Sequence, residues 1–184
     1  YATYLGGTGN EQPHSMITDA QGNLIVAGRT TSTNYPVTIP QIGTGGGYDI
    51  IVTKFNVNGT ALLGSIKMGG ANDDGVNIRP KYPALQPAAV STLRNYGDDA
   101  RSEVILDGAN NIYVVSCTQS TNFPTAFAVQ NTFAGGLQDG VILKFTPNLS
   151  SVIYSTYFGG SDNEACFVAN INPITGDLYV AGGT

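Results

Sequence analysis

The chain repeats itself in register, and that repeat narrows the folds open to it more than any other feature. Three Gly-Gly pairs close strand-like runs, at Tyr4-Leu5-Gly6-Gly7, Lys67-Met68-Gly69-Gly70 and Tyr157-Phe158-Gly159-Gly160. Each is followed by a turn and an apolar strand, over 19–28, 107–116 and 172–182, the last with one extra turn residue. The register holds beyond that strand. Thr31-Ser32-Thr33-Asn34-Tyr35-Pro36 answers Gln119-Ser120-Thr121-Asn122-Phe123-Pro124, 88 positions on. Gly46-Gly47-Tyr48-Asp49 answers Gly135-Gly136-Leu137-Gln138-Asp139, and Ile51-Val52-Thr53-Lys54-Phe55 answers Val141-Ile142-Leu143-Lys144-Phe145, 90 positions on. Blocks that stay in step over such a distance are an internal repeat, in which each unit buries its apolar face against the next.

The spacing also exposes an insertion. Gly7 to Gly70 is 63 positions and Gly70 to Gly160 is 90; the step from Gly-Gly to the turn Asp is 12 in one unit (Gly7 to Asp19) and 37 in the next (Gly70 to Asp107). The excess of 25 falls in a Pro-containing stretch without alternation, which predicts a loop insertion at about 71–96. Without it the period is about 63 to 65 residues, with four strands in each unit. They are expected at about 15–18, 23–28, 49–56 and 61–68, then about 102–106, 111–116, 139–146 and 152–158. Turn chemistry at Gln21-Gly22-Asn23, Asn58-Gly59 and Pro147-Asn148 separates them. Four short antiparallel strands per repeat make a β-propeller blade. A β-helix is the runner-up, although its turns are shorter and more regular.

The expected fold is therefore all-β, with β-propeller blades built as four-stranded antiparallel sheets and an incomplete ring. Residues 1–7 read as the last strand of a preceding blade, 8–70 as a blade, 71–160 as a blade carrying the insertion, and 161–184 as the first half of a following blade. At the period found, 184 residues make fewer than the four to eight blades of a closed propeller. The remaining blades of the same polypeptide are the expected partners.

Composition agrees and excludes other classes. Gly, at 24 of 184 residues, is about double the usual share, and charged residues are only 11% against roughly 25% in ordinary soluble domains. A net charge of −5 with scattered basic residues argues against nucleic acid as a partner. No run of 18 apolar residues is present to span a membrane as a helix. Two cysteines, Cys117 and Cys166, are too few for a disulfide framework and read as buried small hydrophobes or as one bridge.

These blocks resemble the SBBP family of bacterial β-propeller repeats. Its units run from a Tyr-Ser-Thr-Tyr-Leu-Gly-Gly strand through an acidic turn, an Asp-x-x-Gly-Asn turn and a Tyr-Val-x-Gly-x-Thr strand to a Phe-Pro step. Tyr154-Ser155-Thr156-Tyr157-Phe158-Gly159-Gly160 is nearly the whole first element. The likeness is to copies found in large secreted or cell-surface proteins of gliding and related Bacteroidota. Two departures stand out: Lys67-Met68 replaces the aromatic and Leu, and Ser116-Cys117 replaces Gly and its neighbour. The resemblance implies an extracellular or cell-surface repeat scaffold, adhesin-like, with no enzymatic motif and no cofactor.

The residues themselves offer little chemistry. His14 is the sole histidine, no Gly-x-Ser-x-Gly accompanies it, and it reads as a turn or surface residue. Acidic clusters recur after the Gly-Gly step and near the end of the insertion, at Asn72-Asp73-Asp74, Asp98-Asp99 and Asp162-Asn163-Glu164. Asp and Asn in such loops serve as turn formers; carboxylates in Gly-rich loops are also hard ligands for calcium, with Asp73, Asp74, Asp98 and Asp99 as the candidates. Asp49 and Asp139 recur once per unit, as do Lys54 and Lys144, which points to hydrogen bonding between strands or blades. The insertion holds Arg79, Lys81, Tyr82 and Arg94 and is the expected loop for a protein or glycan partner. The expected function is a non-catalytic interaction scaffold. The alternative is a propeller lyase or glycoside hydrolase using acidic loop residues, and fold alone does not separate the two.

Overall fold

The computed structural model describes residues 1–78 and 102–184. They form an all-β structure without helix. The first sheet holds β1 (Glu11–Thr18), β2 (Leu24–Thr30), β3 (Asp49–Phe55) and β4 (Leu62–Met68), in that order and antiparallel throughout. The second repeats it with β5 (Glu103–Leu106), β6 (Ile112–Thr118), β7 (Asp139–Phe145) and β8 (Val152–Phe158). Then β9 (Ala165–Ile171) pairs with β10 (Leu178–Gly183). These are β-propeller blades, and the described residues do not close a ring.

The turns recur because their backbone demands recur. The β1–β2 turn requires a left-handed residue three positions after its Asp, supplied by Gly22 (φ 80°) and, in the second blade, by Asn110 (φ 62°), the side chain that best tolerates this region. The β3–β4 turn puts Gly59 at φ 66° and Leu149 at φ 55°. Leucine is costly there, yet Leu149 is wholly buried between the sheets, and that burial offsets the strain.

One continuous core joins the two four-stranded sheets. Ile25, Ala27, Ile50, Val52, Ile66 and Met68 of the first meet Val104, Ile112, Val114, Leu143, Phe145 and Tyr157 of the second. The opposite face of the second sheet, through Val115 and Ile142, packs on Cys166, Ala169, Leu178 and Val180. Strict alternation along each strand sends neighbouring residues to different neighbours, so central strands are buried on both faces and read as unbroken apolar runs. Both cysteines are free and buried, Cys117 lying with Ala165 and Phe167.

Three features differ from the expectation. First, β1 begins at Glu11, four residues early, because a bulge between Pro13 and Ser15 lets the strand accept a proline. That places His14 in the strand, where Nδ1 bonds Ser102 Oγ of the second blade at 2.9 Å, joining blades instead of capping a turn. Second, residues 71–78 belong to the blade junction and not to an excursion. Residues 71–74 are the repeat's own acidic turn, Asp74 bridges to Thr118, and Val76 and Asn77 are buried. The added residues therefore follow position 74, and positions 79–101 lie outside the described residues. Third, residues 1–5 form no strand, whereas their counterparts β4 and β8 each pair with the strand just before them.

The departure at Ser116 has a steric origin. A Cβ on its counterparts Gly28 and Gly182 would strike the carbonyls of Gln12 and Ala165 on the paired strand. In the second blade β5 pairs with β6 only from Glu103 opposite Val115, so Ser116 has room for its hydroxyl, which bonds Ser102 Oγ at 2.7 Å.

Candidate functional site

The recurrent polar residues gather into three motifs, each built twice or more. The first is the β1–β2 turn. Asp19 Oδ1 accepts the backbone amides of Gln21 (3.0 Å) and Asn23 (2.9 Å), while Oδ2 accepts Asn23 Nδ2 (2.9 Å) and pairs with Lys54 Nζ at 2.8 Å. Asp107 repeats this with Ala109, Asn111 and Lys144, the last at 3.3 Å. Lys54 also donates to the Pro147 carbonyl at 2.9 Å, tying one blade to the next. Burial works against the Asp19 anion, but Lys54 and the Asn23 donors overcome it and pull its pKa down to about 2. The repeated lysines thus act between strands and between blades.

Because the Asp19–Lys54 pair is buried while Asp107–Lys144 is partly open to water, equal substitutions will not cost equally. Asp19→Ala is expected to lose about 3 kcal/mol, since it strands a buried lysine. Asp107→Ala should lose about half as much, mostly its turn bonds. Urea midpoints of the two variants measure the difference. The sign with pH follows from the lowered pKa. Asp19 stabilises the fold above the ordinary 3.8 and stops doing so as pH falls toward 2.

The second motif staples the Gly-Gly step to the end of the second strand. Glu11 accepts Thr30 Oγ1 at 2.6 Å and Ser32 Oγ. Asp74 accepts Thr118 Oγ1, Ser120 Oγ at 3.2 Å and the Gly70 amide at 2.7 Å. Glu164 accepts the Gly160 amide at 2.8 Å and Thr184 Oγ1 at 3.0 Å. Asn34 and Asn122 complete it by accepting the amides of Thr8 and Ala71, each at 2.9 Å. The sequence singles out Asp74 and Glu164 but not Glu11; the signal that finds it is its place four residues after the second Gly of each pair.

The third motif opens the third strand of each blade. Asp49 Oδ2 lies 3.5 Å from Lys67 Nζ, and Lys67 also donates to the Ser32 carbonyl at 3.0 Å. In the second blade Tyr157 stands at the lysine's place and donates to the matching Ser120 carbonyl at 2.8 Å. Lys67 is thus a functional substitute for the aromatic residue, with a charge added. Asp139 accepts the Ala134 amide at 2.8 Å and Gln130 Nε2 at 3.4 Å through Oδ2. Burial pushes the pKa of Asp139 up, and the charge of Glu164 adds to it.

Among the calcium candidates, Asp73 Oδ1 accepts the Tyr48 amide at 2.9 Å, and Asp74 is fully buried among its three donors. Asp73 thus ties the turn to Tyr48 just before β3, and Asp74 ties it to the end of β6. Asp98 and Asp99 lie outside the described residues, as do Arg79, Lys81, Tyr82 and Arg94. Among the described residues, no three His, Cys, Asp or Glu side chains gather as a metal would require. No helix of the described residues is long and apolar enough to cross a membrane.

Residues 1–36 match the family model of SBBP, the β-propeller repeat. The matched stretch holds the first Gly-Gly pair, the Glu11 staple, the Asp19 turn and the Tyr35-Pro36 step, the parts that recur in the second blade, and it supports a β-propeller repeat scaffold. A comparison with curated proteins finds no match.

Proposed function

We propose that this chain is a non-catalytic scaffold, a β-propeller repeat segment of a secreted or cell-surface protein whose loops engage a protein or glycan. The observation that carries this reading is the employment of the recurrent acids. Glu11, Asp19, Asp74 and Asp107 are each committed to backbone amides, hydroxyls or lysines of the fold, where a hydrolase would need a carboxylate facing a cleft. The inserted stretch bearing Arg79, Lys81, Tyr82 and Arg94 is the proposed contact for the partner. The likeness to secreted proteins of Bacteroidota supports the surface placement.

Further blades of the same polypeptide are the proposed intramolecular partners. Val104, Ile112 and Val114 face the preceding sheet and are buried. Their counterparts on the first sheet, Met16, Leu24 and Val26, line an open groove together with Tyr1, Leu5 and Phe55. The groove offers another blade the surface that the second blade already uses.

Glycan-array and polysaccharide-turnover assays on the purified chain test the proposal together. Binding without turnover, weakened when Arg79, Lys81, Tyr82 and Arg94 are changed to Ala, is the expected result. Turnover that disappears on changing Asp73, Asp74, Asp98 or Asp99 singly to Asn would overturn it in favour of an enzyme.

A further inference from the structure

Two carboxylates meet where the first blade joins the second. Asp49, at the start of β3, is buried, and its Oδ1 has no hydrogen-bond partner. Asp74, wholly buried, is held by Thr118 and Ser120 of the second blade and by the Gly70 amide. Gly69 lies between them: a Cβ on it would run into Asp49 Oδ1 and would come within 2.7 Å of Asp74 Oδ2. The orphaned oxygen of one carboxylate and an oxygen of the other therefore border the same small space beside Gly69, which a side chain would fill. An unpaired buried acceptor and two adjacent buried anions are both costly, and a single proton relieves both.

The arrangement is built twice. Asp139, also fully buried with an orphaned Oδ1, faces half-buried Glu164 across Gly159, whose Cβ would lie 2.8 Å from Asp139 Oδ1 and from Glu164 Oε2. Equivalent orphans in two blades point to a feature of the repeat and not of one packing accident.

We propose that Asp49 and Asp74 hold one proton between them across Gly69, and that this shared proton is a pH-sensitive latch joining the two blades. Among the described residues, the charged or titratable groups near it are consistent with that role. Lys67 of β4 lies 3.5 Å from Asp49 Oδ2 and offsets one of the two carboxylates. Arg29 of β2 is engaged by Gln12 Oε1 at 2.7 Å and lies 4.4 Å from the Tyr48 ring centre. Asp73 points its Oδ1 at the Tyr48 amide. Burial pushes the Cys117 thiol and the Tyr157 phenol up, the latter to about 12, so both stay neutral across the range that matters. For Asp74 burial is the largest influence and the charge of Asp49 adds to it; its donors pull the other way, and the result is about 7. The pair titrates as a unit.

The folded chain thus binds a proton that the unfolded chain, with its ordinary carboxyl at 3.8, has already released. The latch is complete below that value and is lost as pH rises through about 7. The test combines carbon-13 NMR of the Asp carboxyls with urea unfolding of the full 184-residue chain between pH 5 and 8. One carboxyl titrating near neutrality is expected, with a folding constant that falls at least ~10-fold over that range. Asp74→Asn, which removes the titrating group while keeping the side chain's size, should abolish both the titration and the slope; Asp49→Asn serves should that variant fail to fold. All carboxyls titrating in the ordinary range, or an unchanged slope in Asp74→Asn, would overturn the latch. So would millimolar calcium restoring stability at the alkaline end, which would put a cation where we place the proton.

Discussion

Changing Lys67 to Met is expected to destabilise the fold by about 3–5 kcal/mol, the range for removing one partner of a buried ion pair. Lys67 is buried, and two groups lose their partner with it: the Asp49 carboxylate and the Ser32 carbonyl. Lys67→Tyr should recover about half of that loss, because Tyr157 makes the equivalent bond to Ser120 in the second blade without any charge. The pH dependence separates the two contributions. Burial already raises the pKa of Asp49 and Lys67 holds it down; without the lysine it rises further, and the folded state takes up a proton. The penalty of Lys67→Met is therefore larger at pH 8 than at pH 5, since deprotonation then leaves an uncompensated buried anion. Urea midpoints for both variants at the two pH values measure it; a penalty independent of pH would show that the carbonyl bond, not the charge, is what Lys67 provides.

Much of this architecture is legible in the sequence, for physical reasons that stop at identifiable residues. Strand positions follow from the repeat because alternation and turn chemistry recur together, and β3, β4, β7 and β8 fall within a residue or so of expectation. The start of β1 does not, because Pro13 masks a strand that survives only through a bulge. The Asp19 and Asp107 turns are visible from spacing alone, since an Asx turn uses neighbours in the chain. The staple is only half visible: its partners, such as Asp74 with Thr118 and Ser120, are 44 and 46 residues apart, and its first acid, Glu11, lies in no acidic run. Gly69 reads as a strand-exit glycine, but that it separates two carboxylates depends on the third strand arriving beside it. The insertion is found by arithmetic, yet its start is misplaced at 71 because the counting begins at Gly70, and the acidic turn that the repeat retains is swept into it.

The largest contrast should come from one substitution made at two equivalent positions. Val26 and Val114 sit opposite Met16 and Val104 in their respective sheets and point to the same side of the repeat. Val114 is wholly buried against the first blade, so Val114→Asp places a carboxylate in the shared core, where no cation is at hand among the residues it packs with. It should cost about 5 kcal/mol or more, enough to unfold the chain, since a burial penalty of this kind is among the few that exceed ordinary point-mutant effects. Val26→Asp should cost about 1–2 kcal/mol, because this side chain is only partly covered and its charge can reach the open groove beside Met16 and Phe55. In a longer stretch of the polypeptide in which a preceding blade occupies the groove, the Val26 penalty should rise toward that of Val114. Thermal or urea unfolding of both variants, in this chain and in one extended by a further repeat, compares them directly. Equal penalties in the shorter chain would mean that the groove is already a closed core, and an unchanged Val26 penalty in the longer one would mean that no blade docks there.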